Sequence, residues 1–161
     1  WIIMFIYILI RFRKWQYAAG ATIALIHDVL FVMSIFSIFT GILPFTMEVD
    51  ASFIAAILTV MGYSINDTVV VFDRIREYTG IHHTLDQKQV INTALNATLS
   101  RTINTSLTIF FVLLAIFLFG GDVIRGFTFA MLVGILIGTY SSICIATPIV
   151  IDFAKGKKVE A

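Results

Sequence analysis

A carboxylate stands in an apolar stretch of the sequence. In MGYSINDTVVVFDRIRE, residues 61–77, Asn66 and Asp67 are followed by the run TVVVF. Asp67 lies five residues before that run ends, which corresponds to about 8 Å along a helix. If the stretch crosses a membrane, a charged aspartate costs about 2.5–3.5 kcal/mol at the helix centre on insertion scales. Such residues usually belong to ion pathways or proton relays, and we predict an ion-coupling role for Asp67.

The predicted partner of Asp67 lies in the segment TLSRTINTSLT, residues 98–108. Its polar residues recur at helical spacing, which places them on one face, predicted to point into a helix bundle. Arg101 at one end of this face could reach Asp67 and would favour the charged carboxylate, whereas desolvation disfavours it. An ion pair that only holds two helices together is the alternative. The predicted face consists of Arg101, Asn104, Thr105 and Thr108.

Other polar groups are expected to support the same site. On the helix of Asp67 these are Ser64, Asn66 and Thr68. Asp28 in LIHDV is a weaker candidate: it joins the polar cluster, caps a neighbouring helix end or pairs with a loop arginine. The adjacent His27 is predicted to be a packed, hydrogen-bonded group.

The composition places these residues in a membrane protein. Of 161 residues, 59% are hydrophobic and 13% are charged, whereas soluble domains average about 25% charged. The mean hydropathy is +0.97. Apolar runs approach the roughly 20 residues that cross a bilayer. We therefore predict an all-α integral membrane fold, a transmembrane helix bundle.

The apolar runs give the predicted spans. Residues 1–10 cover about half a bilayer. Because the sequence begins with Trp1 and lacks a basic region before this run, we expect a fragment that starts midway through a spanning helix. The bundle then has a truncated span and four full spans, at 18–43, 52–72, 102–119 and 127–151.

Basic residues predict the orientation. One side of the membrane carries Arg11, Arg13, Lys14, Arg74, Arg76, Lys88, Arg101, Lys155, Lys157 and Lys158. The other side carries Arg125. Because lysine and arginine accumulate on the cytoplasmic side, the first side and the C-terminus are predicted to be cytoplasmic.

The polar connection before the fourth run contains a predicted amphipathic helix, residues 84–100. Thr84 and Gln87 have capping-box spacing. Apolar residues then recur with helical period at Val90, Ile91, Ala94, Leu95 and Leu99. We expect an interfacial helix that either anchors the loop or takes part in coupling.

Several further residues have structural interpretations. Gly134 and Gly138 form a helix-packing GxxxG pair, and Gly62 is expected to allow a close approach. Pro148 is predicted to kink or end the last helix. The pair His82 and His83 has no nearby ligand set, so no metal site is predicted. Nothing in the sequence suggests covalent enzyme chemistry, and the net charge of +1 gives no indication of a nucleic-acid partner.

Four segments, in this order, resemble the SecF family of the bacterial Sec protein-export machinery. They are LIHDV at 25–29, GYSINDTVVVFDRIRE at 62–77, LSRTINTSLT at 99–108 and FGG…IRGF at 119–127. The resemblance implies the second half of an exporter of the resistance-nodulation-division (RND) superfamily. It further implies that a first span and a periplasmic domain are absent here. The family's intramembrane aspartate falls on Asp67 and its arginine on Arg101.

The resemblance also implies partners and a driving force. They are SecD, as a separate or fused chain, the SecYEG translocon, and YajC or YidC, with preproteins as substrates, in the lipid of the bacterial inner membrane. The coupling ion is H⁺ or Na⁺, and no other cofactor is expected. The alternatives are an RND-type exporter of small molecules or lipids, and a non-transporting assembly subunit.

Overall fold

A computed structural model describes residues 1–45, 47–81 and 86–154. These residues form six α-helices and a π-helical turn, with no strand among them. The helices are α1 (Ile2–Phe12), α2 (Trp15–Phe39), α3 (Ala51–Ile81), α4 (Gln87–Phe119), α5 (Asp122–Ser141) and α6 (Thr147–Ala154). The π turn, Ser142–Ala146, joins α5 to α6.

In the described ranges, four helical segments are long and apolar enough to cross a membrane, so this is a multi-pass membrane protein. They are Trp15–Phe39, Ala51–Ile81, Lys88–Phe119 and Asp122–Phe153. Helix α1 has 11 residues, about 16 Å, which is about half of the hydrocarbon thickness. The predicted all-α bundle, with a short span and four full ones, is confirmed.

The connection between the second and third full spans is more helical than its polarity indicated. Helix α3 continues to Ile81, nine residues beyond the apolar run. An i,i+3 ion pair, Arg74 Nη1 to Glu77 Oε2 at 2.7 Å, supports this extension. Helix α4 begins at Gln87 and runs unbroken for 33 residues, about 50 Å.

The first turns of α4 pack against the bundle. Val90, Ile91 and Ala94 are buried, and Ile91 and Ala94 join Ile75 of α3 in one apolar cluster. Leu99 is exposed, which the predicted amphipathic face did not anticipate. The N-cap of α4 is Asp86 rather than Thr84, and Thr84 lies outside the described residues. The interfacial position of this segment stays a prediction.

Two ion pairs mark the two ends of the bundle. Arg11 Nη2 lies 2.8 Å from Asp73 Oδ2, so the C-terminal end of α1 and the polar end of α3 are on one side. We call this the basic end. Arg125 pairs with Asp122 at 2.7 Å at the start of α5. Three of the counted lysines, Lys155, Lys157 and Lys158, lie outside the described residues.

The glycine pair of α5 packs against α3. A methyl group at Gly134 would overlap the side chain of Val60, and a Cβ at Gly138 would lie 3.1 Å from Ser64 Cβ. Gly62 differs from its prediction: it faces outward, and a Cβ there would meet nothing within 4 Å. Helical rotation separates Gly62 from the Val60–Ser64 face that α5 contacts.

Pro148 does not end the last helix. Its nitrogen cannot donate a hydrogen bond, and the chain forms the π turn over the preceding residues. Thr147 Oγ1 donates to the Ser142 carbonyl at 3.1 Å across this turn. The helix then continues to Ala154. The turn therefore shifts the helical register between Ser141 and Thr147.

Candidate functional site

Two carboxylates are buried between the long helices. Asp28 on α2 is fully buried, and Asp67 on α3 has an exposed fraction of 9%. Hydroxyl side chains from α3, α4, α5 and the π turn contact these carboxylates or one another. These residues are Ser64, Thr68, Thr102, Ser106, Thr139, Ser141 and Ser142.

Both oxygens of the Asp28 carboxylate have polar partners. Its Oδ2 accepts from Ser64 Oγ at 2.6 Å and from Ser141 Oγ at 2.8 Å. Its Oδ1 lies 3.2 Å from His27 Nδ1. We call Asp28, Ser64 and Ser141 the Asp28 clamp, because these three residues join α2, α3 and α5. Of the alternatives for Asp28, the polar cluster is therefore the one observed.

Asp67 has a different environment. Its Oδ1 accepts one hydrogen bond, from Thr102 Oγ1 at 3.2 Å. Its Oδ2 is buried and has no partner in hydrogen-bonding geometry among the described residues, although the Ser142 hydroxyl lies close to the carboxyl. A buried polar atom without a partner carries a desolvation penalty of about 1–3 kcal/mol, more when charged. Binding a proton or a hard cation at this oxygen would relieve that penalty.

The two carboxylates are connected through neighbouring residues. Thr68, next to Asp67, lies with its Oγ1 2.9 Å from Ser142 Oγ. Ser142 follows Ser141 of the Asp28 clamp; Ser142 Oγ donates to the Gly138 carbonyl at 2.9 Å, and Ser141 Oγ lies 3.1 Å from the same oxygen. The two carboxylates are therefore linked by two side-chain hydrogen bonds, Asp28–Ser141 and Ser142–Thr68, and by two pairs of chain neighbours, Ser141–Ser142 and Thr68–Asp67.

A second hydroxyl chain crosses from α3 to α5 through α4. Tyr63 OH is 2.9 Å from Ser106 Oγ, which is 2.6 Å from Thr139 Oγ1. Ser106 lies one turn after Thr102 on the buried face of α4. This chain holds in place the helix that carries the donor to Asp67.

The expected ion pair between Asp67 and Arg101 is absent from the described part of the chain. Arg101 is exposed, and the buried face of α4 is Thr98, Thr102 and Ser106. Successive residues on a helix are rotated by about 100°, so the buried face and the predicted polar face lie one position apart, at Thr102 and Arg101. Both faces are polar, and the sequence does not reveal which one points into the bundle. The predicted stripe of Arg101, Asn104, Thr105 and Thr108 is exposed on this chain.

The predicted supporting groups on α3 also serve other partners. Ser64 donates to Asp28, and Thr68 contacts Ser142, so neither hydroxyl binds Asp67. Asn66 is exposed on the face that α2 and α5 leave free. Residues three or four positions apart on an α-helix share a face, and here that face packs against neighbouring helices. The hydroxyls of Ser64 and Thr68 therefore bond to residues of those helices and not to Asp67 on their own helix. His27 is hydrogen-bonded, as predicted.

A cavity of about 320 Å³ opens between α3 and α4 at the basic end. Charged side chains of both helices line it: Asp73, Arg74, Glu77 and Arg101. Val70 and Thr98 also line it, and they lie one turn from Asp67 and Thr102 respectively. The cavity therefore lies about one helical turn from Asp67, toward the basic end.

Sequence reasoning missed Thr102, Ser106, Thr139, Ser141 and Ser142. The adjacent serines before CIATP, residues 144–148, were a usable signal, since polar groups in apolar helices face the bundle interior. No group of three histidine, cysteine or acidic residues converges in the described ranges. The site offers hydroxyl and carboxylate oxygens, which suit a proton or a hard cation.

The chain is similar to known protein-export membrane proteins. Residues 1–156 match the family model "Protein export membrane protein SecD/SecF, C-terminal". The chain is 56% identical over 151 residues to "Protein translocase subunit SecF" of Rhodothermus marinus, covering 94% of this chain and 49% of that protein. It is 49% identical over 146 residues to the SecF subunit of Cereibacter sphaeroides, covering 91% and 43%. The chain thus spans about half the length of these curated relatives.

A solved structure supports the fold. The chain superposes on "Crystal structure of SecDF in Super-membrane-facing form" with a TM-score of 0.84 and 39% identity. The match covers 94% of this chain and 20% of that one.

Proposed function

Because the chain belongs to the SecD/SecF family of protein-export membrane proteins, we propose that it is the membrane part of a translocase subunit driven by an ion gradient. Asp67 binds and releases the coupling ion, H⁺ or Na⁺, and thereby changes the packing of the helices. No covalent catalysis is involved.

The buried Oδ2 of Asp67 carries this proposal. It lacks a partner among the described residues, while every oxygen of Asp28 is used. A carboxylate that gains a partner only on ion binding is suited to exist in two states. An ion shifts a conformational equilibrium only if it binds the two states differently.

The available energy is sufficient. Moving one elementary charge through 100 mV is worth about 2.3 kcal/mol. A free-energy difference of about 1.4 kcal/mol already changes an equilibrium constant tenfold. One ion at Asp67 could therefore bias two helix arrangements by more than tenfold.

We assign Arg101 a role different from a fixed ion pair. The exposed stripe of Arg101, Asn104, Thr105 and Thr108, with Asn66 beside it on α3, is too polar to face lipid tails. A second membrane half, SecD as a separate or fused chain, would cover it. Arg101, at the cavity that leads to Asp67, would then approach the carboxylate in one of the two states.

The partners and location follow from the same proposal. The subunit works in the bacterial inner membrane with its basic end cytoplasmic, beside SecYEG and with YajC or YidC. It acts on preproteins at a late stage of export. The solved structure that this chain resembles is named SecDF, a name that combines SecD and SecF. This supports pairing of the subunit with SecD.

Reconstitution tests the proposal. The full-length protein, its SecD partner and SecYEG are placed in proteoliposomes, and preprotein translocation is measured with an imposed ion gradient and after an ionophore collapses it. We expect the gradient to stimulate late translocation. Equal export in both conditions would contradict ion coupling.

The same proteoliposomes distinguish the alternatives. A small-molecule or lipid exporter would move a fluorescent dye or lipid along the gradient without any preprotein. An assembly subunit would support export equally with and without the gradient.

Thr102 offers a prediction about the Asp67 site. We expect Thr102→Val to reduce gradient-stimulated export by about threefold, the factor that corresponds to the roughly 0.6 kcal/mol average of interhelical hydrogen bonds in membranes. The matched control is Thr59→Val on α3, because the Thr59 hydroxyl is exposed and donates to the Ala55 carbonyl of its own helix. Equal losses in the two variants would remove the assigned role of Thr102.

A further inference from the structure

We propose that Asp28 is a positioning residue for the Asp67 site: the Asp28 clamp fixes the end of α5, and so the π turn that presents Ser142 to Thr68 beside Asp67. This inference rests on the proposed function of Asp67. It assigns to Asp28 a task other than binding the coupling ion.

The hydrogen bonds of Asp28 support a fixed rather than a changing role. Both serine hydroxyls lie at short distances from Oδ2, 2.6 and 2.8 Å, within the range of charge-assisted hydrogen bonds. The carboxyl is fully buried and His27 contacts its other oxygen. A buried carboxylate whose two oxygens both have partners is held in one geometry. Asp67, with one buried oxygen unpartnered among the described residues, is not.

The clamp acts at the point where the helix changes its register. Ser141 is the last residue of α5, and the π turn begins at Ser142. π-helical turns inside α-helices are uncommon and are frequent at functional sites. Because Ser141 is held by Asp28, the direction in which Ser142 leaves α5 is determined by α2.

The close packing of α3 on α5 makes the clamp rigid. Gly138 lies against Ser64, and its carbonyl oxygen accepts a hydrogen bond from Ser142 and lies 3.1 Å from Ser141 Oγ. Ser142 then reaches Thr68 at 2.9 Å. A shift of the Asp28 carboxyl would therefore be transmitted to Ser142 within one turn of helix.

Few titratable groups lie near the two carboxylates in the described part of the chain. Helix α2 contributes His27, which contacts Asp28; α3 contributes Tyr63, whose hydroxyl contacts Ser106; and α4 contributes Arg101, which lines the cavity. Helix α5 and the π turn contribute hydroxyls, from Ser141, Ser142 and Thr139. A change in the titration of Asp67 after substitution of Asp28 would thus have two possible causes. One is the loss of the Asp28 charge, and the other is a displacement of the Ser142 hydroxyl. Ser141→Ala separates these causes, because it leaves both charges in place.

The first readout is the reaction of Asp67 with dicyclohexylcarbodiimide, which modifies protonated carboxyl groups in apolar sites. Modification is followed against pH by peptide mass spectrometry in the full-length protein with its SecD partner. We expect Asp28→Asn and Ser141→Ala each to move the midpoint pH by about one unit or more, a tenfold change in proton affinity. Thr128→Val is the matched control, because Thr128 is buried on α5 but donates only to the Ile124 carbonyl near the other end of that helix.

The second readout is geometric. In a Cys144→Ser background, Thr68→Cys and Ser142→Cys form an oxidative cross-link when the π turn holds its place, and adding Ser141→Ala or Asp28→Asn should lower the yield severalfold. An unchanged cross-linking yield with Ser141→Ala would overturn the positioning role. If wild-type Asp67 reacts equally at every pH, Asp67 does not bind the coupling ion as a proton, and the cross-link alone decides the role of Asp28.

Discussion

The Asp67→Asn substitution is expected to lower gradient-stimulated export by more than about tenfold, while the complex with SecD still assembles. Asparagine has nearly the same shape, and its Oδ1 still accepts the hydrogen bond from Thr102. It cannot change charge, so it cannot contribute the roughly 2.3 kcal/mol that one charge gains across 100 mV. Export rate with and without the gradient, and co-purification with SecD, are the measurements.

A matched control for Asp67→Asn lies at the other end of the bundle. Asp122→Asn makes the same chemical change at the start of α5, where the carboxylate is exposed and paired with Arg125. Exposed ion pairs contribute about 0–1 kcal/mol, so export should stay near the wild-type rate. Export by Asp67→Asn at the wild-type, gradient-stimulated rate would make Asp67 a structural residue.

The largest effect on stability is expected from Gly134→Ala. The added methyl overlaps the Val60 side chain, so α5 must move away from α3. Overpacking of this kind costs about 1–3 kcal/mol in the free energy of unfolding. The measurement is unfolding of the purified full-length protein by a denaturing detergent, followed by circular dichroism.

Two further variants test the cause of this effect. Val60→Ala removes the overlapped methyl groups, so the double variant Gly134→Ala with Val60→Ala should recover part of the lost stability. Gly62→Ala is the matched control because its site is open in this chain, and an alanine there should change stability by no more than about 1 kcal/mol. Purely additive losses in the double variant would show that the contact with Val60 is not the reason.

The architecture was predictable because each of its determinants is local in sequence. The apolar run of α2 and the position of Asp67 within α3 follow from composition and length. The extension of α3 to Ile81 was not predictable from hydropathy, because helix formation does not end where the apolar residues end. Its ion pair between Arg74 and Glu77 was the available signal.

The contacts of the site were less predictable, because they depend on helix rotation and on residues distant in sequence. Asp67 receives its hydrogen bond from Thr102, the residue next to the predicted partner Arg101. One position on a helix is a rotation of about 100°, which decides whether a side chain enters the bundle. Asp28 and Ser141 are 113 positions apart, and no periodic pattern joins them.

The central claim, that Asp67 carries the coupling ion, is tested most directly by ion movement during translocation. Proteoliposomes that contain the full-length protein, SecD and SecYEG also contain a trapped pH- or Na⁺-sensitive dye, and ion entry or exit is recorded while a preprotein is translocated. We predict translocation-dependent ion movement with the wild-type protein and none above background with Asp67→Asn. Equal ion movement with both proteins would contradict the account, since another group would then be the carrier.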